Sequence, residues 1–414
     1  MSVKRVAVVS YHSSPLQDPG AGDSGGMTIY VRDLSAALAR LGVATDIFTR
    51  AAGDVPPVTP LSERVRVVSL AAGPREPLTK ERQFEHLDEF VNRAQAFAFG
   101  AQIRYDVVHS HYWQGGLAAR GLSRVWGVPL VHSHHTLARV KDRFRAPGEP
   151  PEPRLRLRGE DEIISAADVL VASTDDEWRY LSCLYGANHD RLKIVHPGVD
   201  HELFRPGDRS AARRELGLGS EAVLLYVGRI QPLKGLSLAL QSVARLRALT
   251  VRKPLLVIVG GPSGPGGDSE VARLRLLAEE LEVQDCVRFA GPQPHRRLPL
   301  YYRAADCVVV CSHSESFGLA ALEAHACGTP VVGTAVGGLS HIVEDGVSGF
   351  LLRSRDPEQF ARCLAQTVAG GAAASCFRSA AHARAQAFSW DRAARSFLDL
   401  YNCLWTAPPE LCTC

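Results

Sequence analysis

The chain of 414 residues lacks the features that define several large classes of protein. No apolar run reaches the roughly 18 residues of a membrane-spanning helix, so we expect no transmembrane segment. An excess of one charge is also missing, because 47 Lys and Arg against 44 Asp and Glu leave a formal net charge of +3. Proteins that hold nucleic acid by bulk electrostatics are more basic than this, so we expect no nucleic-acid partner. With 46% hydrophobic and 22% charged residues, the composition excludes disordered and fibrous chains.

Several motifs of cofactor and metal sites are absent as well. No G-x-G-x-x-G follows the first apolar run, which disfavours a dinucleotide-dependent dehydrogenase. The sequence has no Cys-x-x-Cys or His-x-x-x-His framework and no Asp-x-Asp at a predicted strand end, so we expect neither a metal nor another cofactor. The start leaves no room for a signal peptide, since the strand-like VAVVS begins at Val6, and this favours a cytoplasmic protein.

The ten cysteines do not predict a disulfide framework. Cys286, Cys307 and Cys311 lie in apolar runs, where buried free thiols are common. Disulfides belong mainly to exported proteins, which this start does not indicate. For Cys412 and Cys414 we expect a frayed tail, with oxidation or metal binding as the alternatives.

Short apolar runs alternate with helical segments along most of the chain, a rhythm typical of a parallel sheet covered by helices on both faces. The rhythm breaks in a turn-rich stretch near residues 196–208 and then restarts. We therefore predict an α/β protein of two Rossmann-like, doubly wound domains, residues 1–200 and 201–387. A last amphipathic helix at residues 388–408, with Ser389 as its N-cap, is predicted to cross back to the first domain.

Helices are also predicted near residues 27–41, 81–103 and 115–126, where apolar residues recur at helical spacing. The amphipathic helix at 81–103 would serve a homodimer interface as well as it would serve the core. The sequence leaves the oligomeric state open.

The most specific pattern is a pair of glutamates, Glu315 and Glu323, that follows the strand-like DCVVVC. If a helix begins near Phe317, its amide groups and dipole face an anion such as a diphosphate at the strand end. Glu315 would then project into the strand-end cleft, and Glu323 would accept hydrogen bonds from hydroxyls about two turns further on. A capped helix with two solvated glutamates explains the spacing equally well.

Two loops after predicted strands also suit an anion. Arg229 and Lys234 follow the first strand of the second domain, where a guanidinium fork and an ammonium would bind a diphosphate. Gly25 and Gly26 precede the first helix and would let a ligand approach the backbone. Taken alone, the basic pair fits an ordinary surface loop and the paired glycines fit a tight turn.

A histidine-rich region ends the strand that begins at Pro129. His135, with His132 and His134 before it and His109 and His111 on a neighbouring strand, makes a cleft candidate, whereas a core position is the alternative for the others. The segment 139–158 carries seven basic residues beside this strand end. It predicts either a solvated loop or a site for an anionic substrate.

The segment ESFGLAALEAHACGTPVV resembles the paired-glutamate motif of retaining glycosyltransferase family 4, and VGRIQPLKG resembles its G-R-x-x-x-x-K segment. The resemblance implies the GT-B fold, in which two Rossmann-like domains face a central cleft. Carried over, it implies donor contacts at Gly25, Gly26, Arg229, Lys234, Glu315, Gly318, Leu319 and Glu323.

In that family the first glutamate contacts the hydroxyls of the donor sugar, and the second contacts the ribose of the nucleotide. The stretch H-T-L aligns His135 with a histidine that contacts the donor sugar near the reacting centre. The resemblance thus implies His135, Glu315, Arg229 and Lys234 as the catalytic residues.

The first domain is most similar to the subgroup of actinobacterial transferases in mycothiol biosynthesis, through SPLQDPGAGDSGGM, DVVHSHYW and HTLARVK. Those enzymes move N-acetylglucosamine from UDP-GlcNAc onto 1D-myo-inositol 3-phosphate. The resemblance implies that the acceptor phosphate is held by Lys80, Tyr112, Thr136 and Arg156. Thr28 stands where the subgroup usually has an Asn that touches the inositol ring, which leaves the acceptor open.

The resemblance favours a metal-independent transfer that retains the anomeric configuration. The partners implied are a nucleotide sugar and a small phosphorylated acceptor, and the departing phosphate would take the proton of the acceptor. Three alternatives stay open: a family 4 transferase with a different acceptor, as in sucrose-phosphate synthesis or a natural-product pathway, a nucleotide-sugar 2-epimerase, and a binding protein without catalysis. The intact glutamates and basic residues disfavour the last.

Overall fold

The structure, a computed structural model, describes residues 2–18, 20, 24–264 and 267–406. Its strands are β1 Arg5–Val9, β2 Ala44–Arg50, β3 Val58–Pro60, β4 Val65–Leu70, β5 Val107–His111, β6 Leu130–Ser133, β7 Val169–Ala172, β8 Leu192–Ile194, β9 Ala222–Val227, β10 Pro254–Val259, β11 Val287–Gly291, β12 Cys307–Val310, β13 Val331–Thr334 and β14 Gly349–Leu352. Its helices are α1 Gly26–Arg40, α2 Lys80–Phe84, α3 Leu87–Gly100, α4 Tyr112–Trp126, α5 Ala138–Arg143, α6 Arg154–Ala166, α7 Asp175–Tyr185, α8 Arg209–Glu215, α9 Leu236–Leu246, α10 Gly267–Glu280, α11 Leu298–Ala304, α12 Leu319–Ala326, α13 Leu339–Ile342, α14 Pro357–Val368, α15 Gly371–Ala385 and α16 Trp390–Thr406.

The strands form two separate sheets, which confirms the predicted fold of two doubly wound units. The first sheet has the order β3-β4-β2-β1-β5-β6-β7-β8, and the second has the order β11-β10-β9-β12-β13-β14. Every pairing is parallel except that of β3 with β4. The sequence rhythm did not predict β3, whose three residues are largely exposed and carry no strong apolar signal.

Both faces of each sheet are buried, and successive strand residues contribute to opposite faces. Ala7 and Val9 of β1 belong to one apolar cluster, and Val6 and Val8 belong to the cluster on the other face. Strand β9 divides its residues in the same way between two further clusters. This two-sided burial explains why the strands read as nearly continuous apolar runs.

The predicted helix at 81–103 is two helices, α2 and α3. The chain turns at residues 85–86, and the ring of His86 fills the space beside Gly73, where an added Cβ would lie 2.4 Å from it. Phe90 and Ala94 of α3 are buried, whereas Phe99 is 88% exposed. No helix among residues 2–406, outside the three short gaps, is long and apolar enough to cross a membrane.

Helix α16 packs on α1, beside the first sheet. Ala394, Phe397 and Tyr401 lie in the same apolar cluster as β1, and the hydroxyl of Tyr401 is 2.7 Å from Nδ1 of His109. The hydroxyl of Ser389 accepts a hydrogen bond from the backbone N–H of Arg392, 3.2 Å away, as an N-cap does. The domain limits given above stay a prediction, and Cys412 and Cys414 lie outside the described residues.

The order of each sheet reverses next to its first strand, between β1 and β5 in one unit and between β9 and β12 in the other. In doubly wound folds the ligand site lies outside the carboxyl ends of the strands at this point. We therefore expect a ligand site in the cleft onto which the carboxyl ends of both sheets open.

We predict that Phe397→Ala lowers the free energy of unfolding by about 3–5 kcal/mol, because it removes a fully buried ring from the contact of α16 with the first sheet. Urea denaturation measures the loss. The matched control is Phe99→Ala on exposed helix surface, which should change stability by less than about 0.5 kcal/mol. Equal effects of the two substitutions would contradict the packing described for α16.

Candidate active site

The carboxyl ends of the two sheets enclose a cleft of about 1040 Å³. The hydroxyl of Ser316 in the second unit donates a hydrogen bond to the backbone carbonyl of His135 in the first. A Cβ added to Gly25 would lie 3.4 Å from Nε of Arg229, and one added to Gly26 would lie 3.3 Å from Leu319. Loops of both units therefore form one site, and its walls are already in contact.

The cleft brings together thirteen of the fourteen residues to which the family resemblance assigns contacts, whereas His109, His111, His132 and His134 are buried and do not line it. The residues on its walls are Gly25, Gly26, Lys80, Tyr112, His135, Thr136, Arg156, Arg229, Lys234, Glu315, Gly318, Leu319 and Glu323. Thr28 lies elsewhere, because it is fully buried and its hydroxyl is 2.8 Å from the Ser13 hydroxyl and 3.0 Å from that of Ser24. The side chain of Thr28 is thus held by its neighbours and does not line the cleft.

An ion pair joins the loops that follow the adjacent strands β9 and β12. Nζ of Lys234 is 2.7 Å from Oε2 of Glu315, and the hydroxyl of Ser312 donates to the same oxygen at 3.0 Å. Gly235 makes this approach possible, because its φ is +65° and an added Cβ would lie 2.1 Å from the carbonyl oxygen of Cys311.

Arg229 lies at the end of β9 and faces the loop of Gly25. Its Nη1 is 3.4 Å from the hydroxyl of Ser263, which Gln231 also contacts at 3.2 Å. The hydroxyl of Tyr226 donates to the backbone carbonyl of Arg229 at 2.7 Å. The guanidinium is therefore held at the wall of the cleft from its own unit.

Helix α12 begins at Leu319, two residues later than predicted, because Gly318 with φ +102° forms the N-cap. The loop before it is supported by Gly337 and Gly338. The N–H of Gly338 donates to the carbonyl of Glu315 at 3.1 Å, and a Cβ on Gly337 would lie 1.9 Å from that oxygen. Sequence reasoning missed these glycines, although their pairing after β13 is a signal of close backbone contact.

Glu323 is held from two sides near the floor of the cleft. Its Oε1 is 2.7 Å from Nε2 of His295, and its Oε2 accepts a hydrogen bond from the hydroxyl of Tyr302 at 2.8 Å. Burial opposes a charge on the imidazole, but the adjacent Glu323 carboxylate raises the pKa of His295. His295 follows Pro294 in a short turn and was not singled out from the sequence.

His135 follows β6 with a left-handed backbone at φ +62°, an arrangement that is uncommon outside glycine. Its Nε2 is 2.8 Å from Nδ1 of His111, and its ring meets the edge of Tyr30 at 4.8 Å between centroids. Burial lowers the pKa of His135 to about 3. The ring is therefore neutral near pH 7 and can exchange hydrogen bonds with hydroxyls without carrying charge.

Arg156 on α6 is the centre of a second polar cluster, on the first unit. Its Nε donates to Glu160 and its Nη1 to Glu152, both at 2.8 Å, while Nη2 donates to the carbonyl and hydroxyl of Thr136 at 3.0 and 2.9 Å. Four of its five N–H groups are thus engaged. Burial opposes the charge, but the pKa of Arg156 is raised by Tyr112 and the two glutamates.

The ring of Tyr112 lies between two cations of this cluster. The guanidinium carbon of Arg156 is 5.0 Å and Nζ of Lys80 is 5.6 Å from its centroid. On the same ring lies His12, with centroids 4.4 Å apart, and its Nδ1 is buried with no hydrogen-bond partner in the part of the chain that is described. Burial, and then Lys80, lower the pKa of His12. The sequence pattern after β1 carried no signal for His12.

The basic segment at 139–158 is largely neutralised by its own surroundings. Salt bridges join Arg139 to Asp161, Lys141 to Glu152, Arg145 to Asp142, and Arg156 to Glu152 and Glu160. Only part of the segment reaches the cleft, through Val140, Lys141, Phe144 and residues 150–156. Four of the seven basic residues are thus paired with carboxylates, and the segment brings Lys141 and Arg156 to the cleft.

Among residues with described positions, no group of three or more His, Cys, Asp or Glu could hold a metal ion. His109 instead contacts Tyr401 and Ser133, the latter at 3.0 Å. Cys286, Cys307 and Cys311 are buried free thiols, as predicted.

Two family models match this chain. The model described as "Glycosyl transferase 4-like domain" covers residues 25–198, and "Glycosyl transferases group 1" covers residues 208–384. The chain is 47% identical to the D-inositol 3-phosphate glycosyltransferase of Acidothermus cellulolyticus, over 96% of this chain and 90% of that protein. It is 48% identical to the protein of the same name from Geodermatophilus obscurus, over 96% and 89%.

A solved structure with the same arrangement is sucrose-phosphate synthase from Thermosynechococcus elongatus. It superposes with a TM-score of 0.89 at 32% sequence identity, over 98% of this chain and all of that one. The likeness extends over both units, so their arrangement around the cleft is shared as well.

The buried histidines predict a loss of stability in acid. Burial lowers the pKa of His109, His134, His135 and His325 to about 3, from 6.5 in an exposed side chain. As the pH falls below 6.5, the unfolded chain takes up protons that the folded chain does not. Each of these histidines should then reduce the free energy of unfolding by about 1.4 kcal/mol between pH 7.5 and pH 5.5.

Urea denaturation at pH 7.5 and 5.5 measures this loss. His134→Gln removes one titrating group and should reduce the total loss over this range by about 1.4 kcal/mol. A stability that stays constant or rises on acidification would contradict the neutral state of these rings.

Proposed function

The chain belongs to the group 1 glycosyltransferases that carry a glycosyltransferase 4-like first domain, and from this premise we propose that it transfers N-acetylglucosamine from UDP-GlcNAc to 1D-myo-inositol 3-phosphate. The observation that carries the proposal is the presence of oriented cations on both walls of one cleft. Arg229 and Lys234 lie on the second unit, and Lys80 and Arg156 lie on the first. We take inositol phosphate as the acceptor because the relatives are named for it.

The donor side of the proposal rests on Arg229, Lys234 and the start of α12. A diphosphate gains negative charge as the glycosidic bond breaks, and fixed cations and amide dipoles stabilise that charge. The eight-residue helix α12 begins at the cleft, where the N–H groups near Gly318 and Leu319 would bind an anion. Glu315, fixed by Lys234 and Ser312, would orient the hydroxyls of the donor sugar, and Glu323 would bind the ribose.

The acceptor side rests on Lys80, Tyr112, Thr136 and Arg156. The phosphate would accept hydrogen bonds from the fifth N–H of Arg156, on Nη1, and from the hydroxyls of Thr136 and Tyr112, with Lys80 as a point charge. Glu152 and Glu160 fix the plane of the guanidinium, so its free N–H has one direction. Thr28 would contribute only indirectly, through the packing of the Gly25 loop.

We propose that the transfer retains the anomeric configuration and needs no metal. The acceptor hydroxyl would attack from the side of the leaving group and pass its proton to the departing phosphate oxygen. The neutral ring of His135 suits a hydrogen bond to the donor sugar and does not suit proton donation, given its low pKa. Arg229 and Lys234 would take the place of a divalent ion at the diphosphate, and we place the reaction in the cytoplasm.

A second candidate is the synthesis of a hexose-phosphate disaccharide. It is favoured by the 32% identity and TM-score of 0.89 to sucrose-phosphate synthase. The acceptor would then be fructose 6-phosphate, and the same phosphate contacts would hold it.

An acceptor panel tests the proposal. We expect release of UDP from UDP-GlcNAc with 1D-myo-inositol 3-phosphate, and little or none with unphosphorylated inositol. Activity only with fructose 6-phosphate would favour the second candidate. Conversion of UDP-GlcNAc without any acceptor would contradict the transferase and indicate an epimerase.

Lys234→Met should lower kcat/KM about a hundredfold or more, because it removes a cation from the leaving diphosphate and the partner of Glu315. The matched control is Lys253→Met. Lys253 also forms an ion pair of 2.6 Å, with Asp285, but both side chains are 53% exposed and neither lines the cleft. Comparable losses in the two variants would show that Lys234 acts through stability and not through the donor.

A further inference from the structure

A chain of three side chains joins the proposed ribose contact in the second unit to helix α1 of the first unit. Glu323 is 2.7 Å from Nε2 of His295, and Nδ1 of His295 is 3.2 Å from Nη2 of Arg32, on helix α1 of the first unit. We propose that His295 is a positioning residue for Glu323, and that Arg32 aligns His295 from the first unit. The inference rests on the proposed function, because it takes Glu323 to be the ribose contact.

The carboxylate of Glu323 has capacity for a ligand beyond its two protein partners. His295 and Tyr302 each occupy one acceptor site on different oxygens, and a carboxylate has about four such sites. Glu323 is 6% exposed and still lines the cleft, so acceptor capacity remains for a ligand bound there. Its orientation is therefore set by His295 and Tyr302 before any substrate arrives.

The contact with Arg32 fixes the tautomer of His295. A guanidinium only donates hydrogen bonds, so Nδ1 must accept, and the ring proton is then on Nε2, where it is donated to Glu323. A second proton on Nδ1 would face the N–H groups of Arg32 and break the contact. The aligned state of the three residues is thus the one with a neutral imidazole.

Packing holds the imidazole between its two partners. His295 is 5% exposed, and the ring of Phe204 lies against it with centroids 5.0 Å apart. Arg32 is steadied in turn by Asp33, whose carboxylate accepts from its Nε at 3.0 Å. The guanidinium of Arg32 is therefore held by Asp33 through Nε and contacts His295 through Nη2.

Helix α1 also begins at the donor side of the cleft. Its first residue, Gly26, approaches Leu319, and the preceding Gly25 approaches Arg229. About two turns later the same helix presents Arg32 to His295. Helix α1 thus contacts the second unit both at its start and at Arg32. Donor binding should therefore depend on the contact of Arg32 with His295, which helps to orient Glu323.

Two variants of His295 separate its roles. In His295→Gln the amide nitrogen can take the place of Nε2 and donate to Glu323, whereas His295→Leu loses both contacts. We expect His295→Leu to raise the KM for UDP-GlcNAc and the inhibition constant for UDP about tenfold or more, the usual weight of a hydrogen bond to a charged group. His295→Gln should recover most of that loss, and the KM of the acceptor should change little in either variant.

Arg32→Met tests the contact between the two units. It should raise the KM for UDP-GlcNAc about threefold to fivefold in the wild-type background. In the His295→Leu background the same substitution should have no further effect, because the residue through which it acts is gone. The matched control is Arg40→Met on the same helix, where Arg40 pairs with Asp391 at 2.6 Å outside the cleft; its KM should not change.

The outcomes are distinguishable. A wild-type chain that does not bind UDP would overturn the proposed function together with this inference. Normal turnover with an unchanged donor KM in Arg32→Met, or equal effects of Arg32→Met in both backgrounds, would overturn the inference alone. If His295→Leu does not fold, His295→Gln serves as the second background, since it also lacks the imidazole Nδ1.

Discussion

The ion pair of Lys234 with Glu315 is the contact around which the second unit builds its wall of the cleft. It joins the loops after β9 and β12, which are neighbours at the point where the order of the sheet reverses. Two glycines make this ion pair possible. Gly235 lets the loop after β9 approach the carbonyl oxygen of Cys311, and Gly337 lets the loop after β13 approach the carbonyl oxygen of Glu315. The ammonium is thereby fixed at the strand ends before a ligand binds, so little reorganisation is needed when negative charge develops there.

The electrostatics of the cleft depend on keeping charge at its walls. Cations lie on both walls, and the partly buried imidazoles of His12 and His135 line the same cleft in the neutral state. Burial, and then cations that include Lys80 and Arg229, lower the pKa of His12. In the proposed function, the cations would hold the two phosphate groups and the neutral rings would face sugar hydroxyls.

Local motifs could be predicted from the sequence, and contacts between distant segments could not. Glu315, Glu323, Arg229 and Lys234 lie in short segments that follow strands β9 and β12, where local residue types and spacing carry the signal. The contact of Arg32 with His295 joins residues 263 positions apart, and neither residue stands in a distinctive local pattern. The burial of Thr28 could not be predicted either, because its hydroxyl contacts Ser13 and Ser24 only in the folded loop.

In the proposed function, the protein groups that would bind the acceptor phosphate are held in fixed positions, whereas no such group faces the acceptor's polyol ring at Thr28. Arg156 is held between Glu152 and Glu160, so its guanidinium cannot turn away. An acceptor without the phosphate would leave buried donors unpaired, at a cost of about 1–3 kcal/mol for each. Thr28, by contrast, directs its hydroxyl into the protein and imposes no direction on a ring. Discrimination for the phosphate should therefore exceed discrimination among polyols, because only the phosphate contacts are fixed in advance.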